Sequence, residues 1–192
     1  MNDLLERLNN LKRIPRTGWL FCNIPIGEVE DVAQHTFDVA VITLLLAEDF
    51  ERAGRKVNRE RALGMAVVHD WAEASIGDFP YPALKYLGPA GTKRDIEEKA
   101  LEEILLGLPK KEEYMGLWRE YSGKETVEAK LVHTADYISV LVQAVKYHER
   151  GHRSRELDEL WDAVEKDLRP YIREFPWVRG IVAELRKRFR GG

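Results

Sequence analysis

Three observations on the 192-residue sequence predict an all-α fold in a single domain spanning residues 1–192. First, apolar residues recur at helical spacing along almost the whole chain, as at Val32, Val39, Ile42 and Leu46. Second, no segment shows the strict alternation of apolar and polar residues that is typical of a half-buried strand. Third, many of the glycines and prolines stand between periodic segments, where they would end helices. The length is that of one domain, and no internal repeat divides it.

The first half of the chain is predicted to form three helices. A short helix covers Leu4–Leu11, and an irregular stretch with two prolines and two glycines follows over 15–27. A long helix runs from about Asp31 to Ala53, with Gly54 as its stop, because glycine readily takes the left-handed conformation that ends many helices. Asn58 is a candidate N-cap for the next helix, which extends to about Trp71.

The second half is predicted to be a loop followed by further helices. Residues 77–91 are rich in glycine and proline, which favours a loop. The helices that follow are predicted over residues 92–106, 110–121, 124–150, 155–174 and 178–189.

Composition excludes several classes of partner. The formal net charge is −3, which leaves no basic footprint for binding nucleic acid, so an anionic ligand would need a local basic pocket. The longest apolar stretch, Val39 to Ala47, is far too short to span a membrane, and the N-terminal residues do not resemble a signal peptide. Cys22 is the only cysteine and cannot form an internal disulfide. These features predict a cytoplasmic protein without nucleic-acid or membrane partners.

Polar residues occur where helices should be apolar, and His35 is the first of them. It lies three residues after Val32 and four before Val39, inside the apolar stripe of the long helix. A buried imidazole must either form a hydrogen bond or ligate something. Taken alone, His35 is most simply a core histidine bonded to a carbonyl.

Two further polar groups follow the same pattern. The apolar run 65–68 leads directly into His69 and Asp70, and Glu73 would stand one turn later if the helix continues. Taken alone, this is equally well a helix end that meets water. Asp136 lies in the longest predicted helix, one turn from an apolar residue on either side, where a carboxylate is costly unless paired or metal-bound.

Considered together, these residues predict a metal site. His35, His69, Asp70 and Asp136 offer two imidazoles and two carboxylates from inward helix faces. Such a nitrogen and oxygen set suits divalent manganese, iron, cobalt, zinc or magnesium. Helical bundles commonly build metal sites from inward side chains in this way.

The order of His35, the His69-Asp70 pair and a distant Asp136 resembles the HD-domain metal-dependent phosphohydrolases. Segments 11–19 and 67–80 are similar, more narrowly, to the 5′-deoxynucleotidase branch, and the likeness covers about residues 8–150. It implies an all-α bundle of the HD-domain type, with the metal-site core at about 30–150 and C-terminal helices over 155–190 packing on it. It also implies one divalent ion per chain on these four residues, with Mn²⁺ or Co²⁺ favoured and Mg²⁺, Zn²⁺, Fe²⁺ or Ni²⁺ also allowed.

The resemblance also implies roles for residues around the metal. Glu73 and Asp78 match the acidic residues that position or deprotonate the attacking water. The implied substrate-contacting residues are Arg16, Trp19, His35, Asp78, Phe79, Pro80, Tyr81 and Asp136. The sequence departs from the branch at Gln34, where relatives often carry an acid, and in the three-residue spacing of Arg16 and Trp19.

The function that follows from the resemblance is hydrolysis of 2′-deoxyribonucleoside 5′-monophosphates to deoxynucleoside and phosphate. Two alternatives stay open: an HD phosphohydrolase of nucleoside triphosphates or signalling nucleotides, and a non-catalytic metal-binding regulatory module. A homodimer is also expected, since surplus aromatic residues near the C-terminus would permit one. Whether Lys85, Lys93 or Arg94 contacts the phosphate is left open, a solvated helix start being the simpler interpretation of Lys93 and Arg94.

Overall fold

The computed structural model describes residues 2–88 and 92–191, except for the side chains of residues 2, 81, 84 and 85. Within these ranges the regular secondary structure is helical, which confirms the predicted all-α fold. Extended pairing in the described part is limited to an isolated antiparallel bridge between Pro15 and Asp31.

The described ranges contain ten α-helices and two short 3₁₀ helices. The α-helices are α1 Asn2–Leu8, α2 Gly18–Phe21, α3 Val32–Arg52, α4 Arg59–Val68, α5 Glu73–Ile76, α6 Thr92–Ile104, α7 Lys111–Gly123, α8 Val127–Glu149, α9 Arg155–Glu174 and α10 Val178–Arg190. The 3₁₀ helices are Asn9–Lys12 and Tyr81–Tyr86. The short helices α2 and α5 lie in segments that the sequence did not assign to separate helices.

Capping side chains fix where the long helices begin. The Asp31 carboxylate accepts a hydrogen bond from the Gln34 backbone N–H at 2.7 Å, and the Gln34 side chain accepts one from the Asp31 N–H at 3.0 Å. This reciprocal pair is a capping box, which gives Gln34 a structural role at the position where the sequence departs from the family pattern. Asn58 caps α4 as predicted, and Gly54 takes a φ of +74° after α3.

Helix α4 ends at Val68, three residues earlier than predicted. The chain then tightens: Trp71 N–H bonds to the Val68 carbonyl at 3.1 Å, and Glu73 N–H bonds to the Asp70 carbonyl at 3.0 Å. These i to i−3 bonds turn residues 69–72 into a bend between α4 and α5. The bend still delivers His69, Asp70 and Glu73 to the same region of the molecule.

Helix α8 is the central element, packed against α3, α4, α7, α9 and α10. The C-terminal helices close over it with aromatic residues: Trp161 stacks on Phe189 with ring centroids 4.2 Å apart, and Trp177 packs edge-on against Phe50 at 5.8 Å. Trp161 is fully buried, and Trp177 lies against the same core. These aromatic residues therefore build the core, and they do not form an exposed face for a second subunit.

Among the described residues, none of the helices combines the length and the apolar character that crossing a lipid bilayer requires.

Candidate functional site

Three of the four predicted metal ligands form one tight cluster. His35 comes from the first turn of α3, His69 follows the end of α4, and Asp136 lies in α8. One ligand atom from each lies within 4.8 Å of the other two. The His35 Nε2 is 3.1 Å from an Asp136 carboxylate oxygen, and the two imidazole centroids are 5.5 Å apart.

Asp70 stands beside this cluster. Its Oδ2 lies 3.1 Å from the His69 Nε2 and 3.8 Å from the His35 Nε2, so it contacts both imidazoles. The same oxygen is 3.5 Å from the Arg16 guanidinium, which places Asp70 between the cluster and a cation. The structure thus brings all four predicted ligands together, with Asp70 outside the closest group of three.

The histidine nitrogens fit a metal ion. The His69 Nδ1–H donates to the Ala66 carbonyl at 2.7 Å, and the His35 Nδ1 shares a 2.9 Å hydrogen bond with the Ser139 hydroxyl. The Nε2 atoms of both rings are buried. Each lies 3.1 Å from a carboxylate oxygen, of Asp136 for His35 and of Asp70 for His69, but neither contact has the geometry of a hydrogen bond. Buried polar atoms are rarely left in this state, and metal-ligating histidines typically engage their other nitrogen in this way. A divalent ion on these residues would satisfy both Nε2 atoms.

The charges of the cluster also favour a cation. Burial disfavours the ionised form of Asp136, but the close contact with His35 and the charge of His69 outweigh burial and hold its pKa well below the usual range. Burial is likewise outweighed at Asp70, whose pKa is lowered mainly by His69 and then by Arg16. Burial would lower the pKa of His69, yet the neighbouring carboxylates Asp70 and Asp136 raise it overall. Positive charge is stabilised here, and a metal ion would supply it.

Glu73 is a buried carboxylate, and one of its two oxygens makes no hydrogen bond to the described residues. Its side chain is 3% exposed, and its Oε2 has no hydrogen-bond partner among the described residues, although Arg16 Nη1 lies 3.8 Å away. Burial, followed by the negative charge of Asp70, raises the pKa of Glu73 well above its usual value. A carboxylate in this environment is a stronger base than one in water, which suits it to accept a proton.

Asp78 also carries a carboxylate, but its hydrogen bonds differ from those of Glu73. Its Oδ1 accepts a hydrogen bond from Arg16 Nη1 at 2.9 Å, and its Oδ2 accepts from both the backbone N–H and the hydroxyl of Thr17 at 2.6 Å. Both oxygens are therefore engaged in holding the 16–17 segment. This arrangement favours positioning of Arg16 over proton transfer as the task of Asp78.

Arg16 and Trp19 occupy different positions relative to the site. Arg16 lies among Asp70, Glu73 and Asp78, with its guanidinium toward the cavity. Trp19 also lines the cavity but is only 3% exposed, and its indole N–H donates to the Glu30 carboxylate at 2.8 Å.

A cavity of about 580 Å³ opens beside the cluster, within the range of sites that enclose small molecules. Phe79 and Pro80 line it as expected, while the side chain of Tyr81, like that of Lys85, lies outside the described residues. His35 is fully buried and is not part of the wall, so the structure does not place it against a substrate.

The cavity wall also includes Lys93 and Arg94, whose contact with phosphate the sequence left open. Both stand in the first turn of α6, where Lys93 pairs with Glu97 at 3.0 Å and Arg94 is exposed, as a solvated helix start predicts. Tyr121 donates a hydrogen bond from its phenol to Asp136 at 3.2 Å. Its ring stacks on His133 with centroids 4.1 Å apart.

The sequence indicates some of the residues around the cluster better than others. Ser139 follows Asp136 by three residues on the inward face of α8. Helical spacing could therefore have predicted a hydroxyl near the ligands. Tyr121 and Thr17 stand at the end of α7 and just before α2, where no periodic pattern marks a side chain as facing the site.

Comparison with known proteins assigns the chain to a family. The family model for the HD domain matches residues 8–174, a span that holds all four candidate ligands. The chain belongs to the HD-domain family. The resemblance inferred from the sequence is thereby confirmed.

Individual HD-domain relatives agree with this assignment. The human 5′-deoxynucleotidase HDDC2 is 32% identical over 95% of this chain and 83% of its own length. A solved structure of a conserved hypothetical protein from Pyrococcus furiosus is 39% identical, with a TM-score of 0.78 over 97% of this chain and 99% of that one. An HD-domain phosphohydrolase from Listeria innocua, 21% identical, shares the fold with a TM-score of 0.77 over 94% of this chain and 87% of that one.

Proposed function

We propose that this HD-domain chain is a metal-dependent phosphomonoesterase that hydrolyses 2′-deoxyribonucleoside 5′-monophosphates to deoxynucleoside and phosphate. The observation that carries the proposal is the meeting of His35, His69 and Asp136 beside a buried carboxylate with a free oxygen, at the edge of a cavity. The curated name of the human relative, 5′-deoxynucleotidase, supports the choice of substrate.

His35, His69, Asp70 and Asp136 would hold one divalent ion, since a mixed nitrogen and oxygen set suits several first-row metals. The family resemblance favours Mn²⁺ or Co²⁺. When bound, such an ion acidifies a coordinated water and neutralises charge on a phosphoryl oxygen. Both effects address the difficulty of the reaction, because the negative charge of a phosphate monoester repels a nucleophile.

Two side chains would perform the remaining chemistry. Arg16 presents a planar guanidinium to the cavity and binds phosphoryl oxygens, a geometry that suits bidentate contact. Glu73 accepts a proton from the attacking water through its unpartnered Oε2, while the new oxygen–phosphorus bond forms and the bond to the 5′ oxygen breaks. The 5′ oxygen takes up a proton from solvent and leaves as the hydroxyl of the deoxynucleoside, and Glu73 then returns its proton to solvent. Asp78 and Thr17 keep Arg16 in place. The mechanism needs no covalent enzyme intermediate.

Glu73 also distinguishes this proposal from a non-catalytic metal-binding module. A module that only holds an ion has no need for a buried carboxylate whose free oxygen lies outside the ligand cluster, since burial of such a group is costly. Hydrolysis of triphosphates or signalling nucleotides would use the same cluster, so the substrate must be decided by measurement.

The test is phosphate release from 5′-dNMPs, 5′-NMPs, 3′-dNMPs and dNTPs. The protein is stripped of metal and reloaded separately with Mn²⁺, Co²⁺, Mg²⁺ or Zn²⁺. We expect release confined to 5′-deoxynucleotides and abolished by chelation. Turnover of triphosphates alone, or none on the whole panel with metal bound, would contradict the proposal.

We also propose a homodimer and a cytoplasmic location. Support for the dimer comes from the outer side of α3, where Phe37, Val41, Leu44 and Leu45 form an exposed apolar row at helical spacing. Support for the location is limited to Cys22, a buried thiol that is not in a disulfide.

A further inference from the structure

Arg16 lies in a segment that has little regular structure of its own. Over residues 13–31 the α-helical part is limited to the four residues of α2. An isolated bridge joins this segment to the residues at the start of α3. In it, the Arg16 backbone N–H donates to the Glu30 carbonyl at 2.9 Å, and the Val32 N–H donates to the Ile14 carbonyl at 3.0 Å. The main-chain position of Arg16 therefore depends on how firmly Glu30 is held.

Glu30 uses its carbonyl, its carboxylate and its N–H to hold this region together. The carbonyl accepts the Arg16 N–H, and the carboxylate accepts the indole N–H of Trp19 at 2.8 Å. The Glu30 backbone N–H donates to the hydroxyl oxygen of Tyr147 at 3.0 Å. The bonds to Trp19 and Tyr147 are both buried. Through Glu30, the Tyr147 hydroxyl is thus connected to both Arg16 and Trp19.

Tyr147 is a fixed anchor for Glu30. It is fully buried on α8, and its ring packs edge-on against Trp19 with ring centroids 5.1 Å apart. Its hydroxyl accepts the Glu30 N–H and donates to the Glu28 carbonyl at 3.2 Å, so it bonds to the main chain on both sides of Val29. A phenylalanine has no group that could replace either bond, and a buried backbone N–H without its partner is costly.

Tyr147 stands on the same face of α8 as a candidate metal ligand. Asp136 and Tyr147 are eleven positions apart, close to three full turns of an α-helix, so their side chains leave the helix in nearly the same direction. Asp136 meets His35 and His69 at one end of this face, and Tyr147 meets the segment that carries Arg16 at the other. One helix thereby sets the main chain of Arg16 relative to the metal cluster.

We propose that Tyr147 is a positioning residue for phosphate binding. Its hydroxyl holds Glu30, and Glu30 holds the main chain of Arg16 so that the guanidinium faces the cavity beside the metal cluster. Tyr147 is not among the residues that line this cavity, so it acts without touching the substrate. The proposal rests on the proposed function, because it assumes that Arg16 binds the phosphate.

The test is Tyr147→Phe, which removes the hydroxyl and keeps a ring against Trp19. Binding of inorganic phosphate is measured by calorimetry in the presence of Mg²⁺, so that the readout is independent of turnover. We expect the dissociation constant to rise about 5- to 50-fold, because the Glu30 N–H loses its partner and the bridge to Arg16 shifts. The KM for dAMP should rise by a similar factor, with kcat changed less than about threefold and metal content unchanged.

A double-mutant cycle separates positioning of Arg16 from a general weakening of the fold. In an Arg16→Gln background the guanidinium is absent, so adding Tyr147→Phe should weaken phosphate binding by less than about twofold more. Tyr114→Phe is the matched control. It removes the same group from α7, where the Tyr114 ring packs against Trp71 with centroids 5.5 Å apart, and it should leave phosphate affinity unchanged.

Amide hydrogen exchange keeps the test decisive if Tyr147→Phe does not fold. In the wild-type protein the Arg16 and Glu30 amides should be protected and should exchange at similar rates, since one network holds both. In folded Tyr147→Phe the Arg16 amide should exchange at least about tenfold faster, while amides within α8 keep their rates. A wild-type Arg16 amide that exchanges as fast as an unstructured chain would overturn the anchoring of Arg16.

The outcomes separate this inference from the proposed function. Unchanged phosphate affinity in Tyr147→Phe, or an equal weakening by this substitution with and without Arg16, would overturn the role of Tyr147. Weaker phosphate binding that depends on Arg16, without phosphate release from any nucleotide by metal-loaded protein, would instead overturn the proposed reaction and leave the role of Tyr147 intact.

Discussion

At the scale of single residues, Glu73 and Asp78 are two carboxylates whose different hydrogen-bond partners favour different roles. Asp78 has both oxygens engaged by Arg16 and Thr17, whereas Glu73 is buried with one oxygen free. The sequence resemblance gave the two acids the same role, because a motif records residue type and not hydrogen bonding. In the proposed mechanism, these contacts favour Glu73 as the proton acceptor and Asp78 as the group that positions Arg16.

Replacing Glu73 should therefore reduce turnover without loss of the metal. We expect Glu73→Gln to lower kcat about 10²- to 10⁴-fold, the range for removal of a general base. Metal content by elemental analysis should stay at the wild-type value. Glu97→Gln is the matched control, since Glu97 lines the same cavity but pairs with Lys93. A kcat for Glu73→Gln within threefold of the wild-type value would exclude Glu73 as the base.

Ser139 is expected to tune metal affinity through His35. Its hydroxyl contacts the His35 Nδ1 at 2.9 Å, and partners of ligating histidines typically contribute 10- to 100-fold in metal affinity. Ser139→Ala should weaken metal binding by about that factor in a competition titration. Thr134→Val is the control, because the Thr134 hydroxyl donates to the Lys130 carbonyl of the same helix at 2.7 Å. Equal metal affinities in both variants would disprove the role of Ser139.

His133 is expected to make stability depend on pH. Burial, and then the charge of Lys124, lowers the pKa of His133 to about 4, whereas an unfolded histidine titrates near 6.5. Between these values the unfolded chain binds a proton that the folded chain does not, so the free energy of unfolding should fall as pH drops from about 6.5 to about 4. Urea unfolding of the wild-type protein and His133→Gln should show a shallower pH dependence in the variant. Parallel curves would mean that His133 does not titrate as described.

At the scale of elements, the bend around Gly77 determines where Asp78 stands. Gly77 follows α5 with φ +76° and ψ 171°, a conformation that residues with a Cβ rarely adopt. The glycine and proline content of residues 77–91 predicted a loop, whereas the described part of this segment, 77–88, contains the 3₁₀ helix Tyr81–Tyr86. The need for the Gly77 conformation is visible only in the structure. The bend directs Asp78 back toward Thr17.

Substitution of Gly77 should thus affect stability and activity together. We expect Gly77→Ala to destabilise the fold by about 1–3 kcal/mol and to raise KM, because displacing Asp78 would release Arg16. Gly116→Ala serves as the comparison, since Gly116 lies within α7 with open space around it and should be neutral or slightly stabilising. Thermal melts and steady-state kinetics on both variants provide the measurement. Indistinguishable melting temperatures would contradict the strain at Gly77.

Helices were more predictable than turns for a physical reason. The starts of α3 and α4 could be predicted from the sequence because the capping residues Asp31 and Asn58 stand directly before periodic apolar runs. The end of α4 was not predictable, since no glycine or proline marks a stop between Val68 and Gly77. Propensity and periodicity are local, whereas the bend after α4 is determined by tertiary contacts.

At the scale of the whole molecule, the site is assembled from segments distant in the sequence, yet the residues that meet there could be selected as candidate ligands from the sequence. Each of His35, His69 and Asp136 interrupts or follows an apolar pattern, and the burial of polar groups is costly enough to require an explanation. Tyr121 and Thr17 break no pattern, so no sequence argument could place them. The roles expected of the candidate ligands come from the family resemblance, whereas the residues that contact them are seen only in the structure.

The exposed apolar row on α3 makes the oligomeric state testable. Phe37 and Leu45 are 68% and 58% exposed, and a charge in the middle of a subunit interface is costly. We expect Leu45→Glu to convert a dimer to a monomer in analytical ultracentrifugation, while Leu106→Glu, at a more exposed apolar site outside α3, leaves the dimer intact. A wild-type monomer, or a dimer in Leu45→Glu, would contradict the assignment of this face.

The placement of Arg16 affects how a ligand would be captured. Its backbone N–H is bonded to the Glu30 carbonyl at 2.9 Å, and its guanidinium contacts Asp70, Glu73 and Asp78 before any phosphate arrives. A long, flexible side chain is thereby ordered during folding, so its rotamers need not be frozen when the ligand binds. Association can then proceed close to lock-and-key, with the entropy loss falling mainly on the incoming molecule.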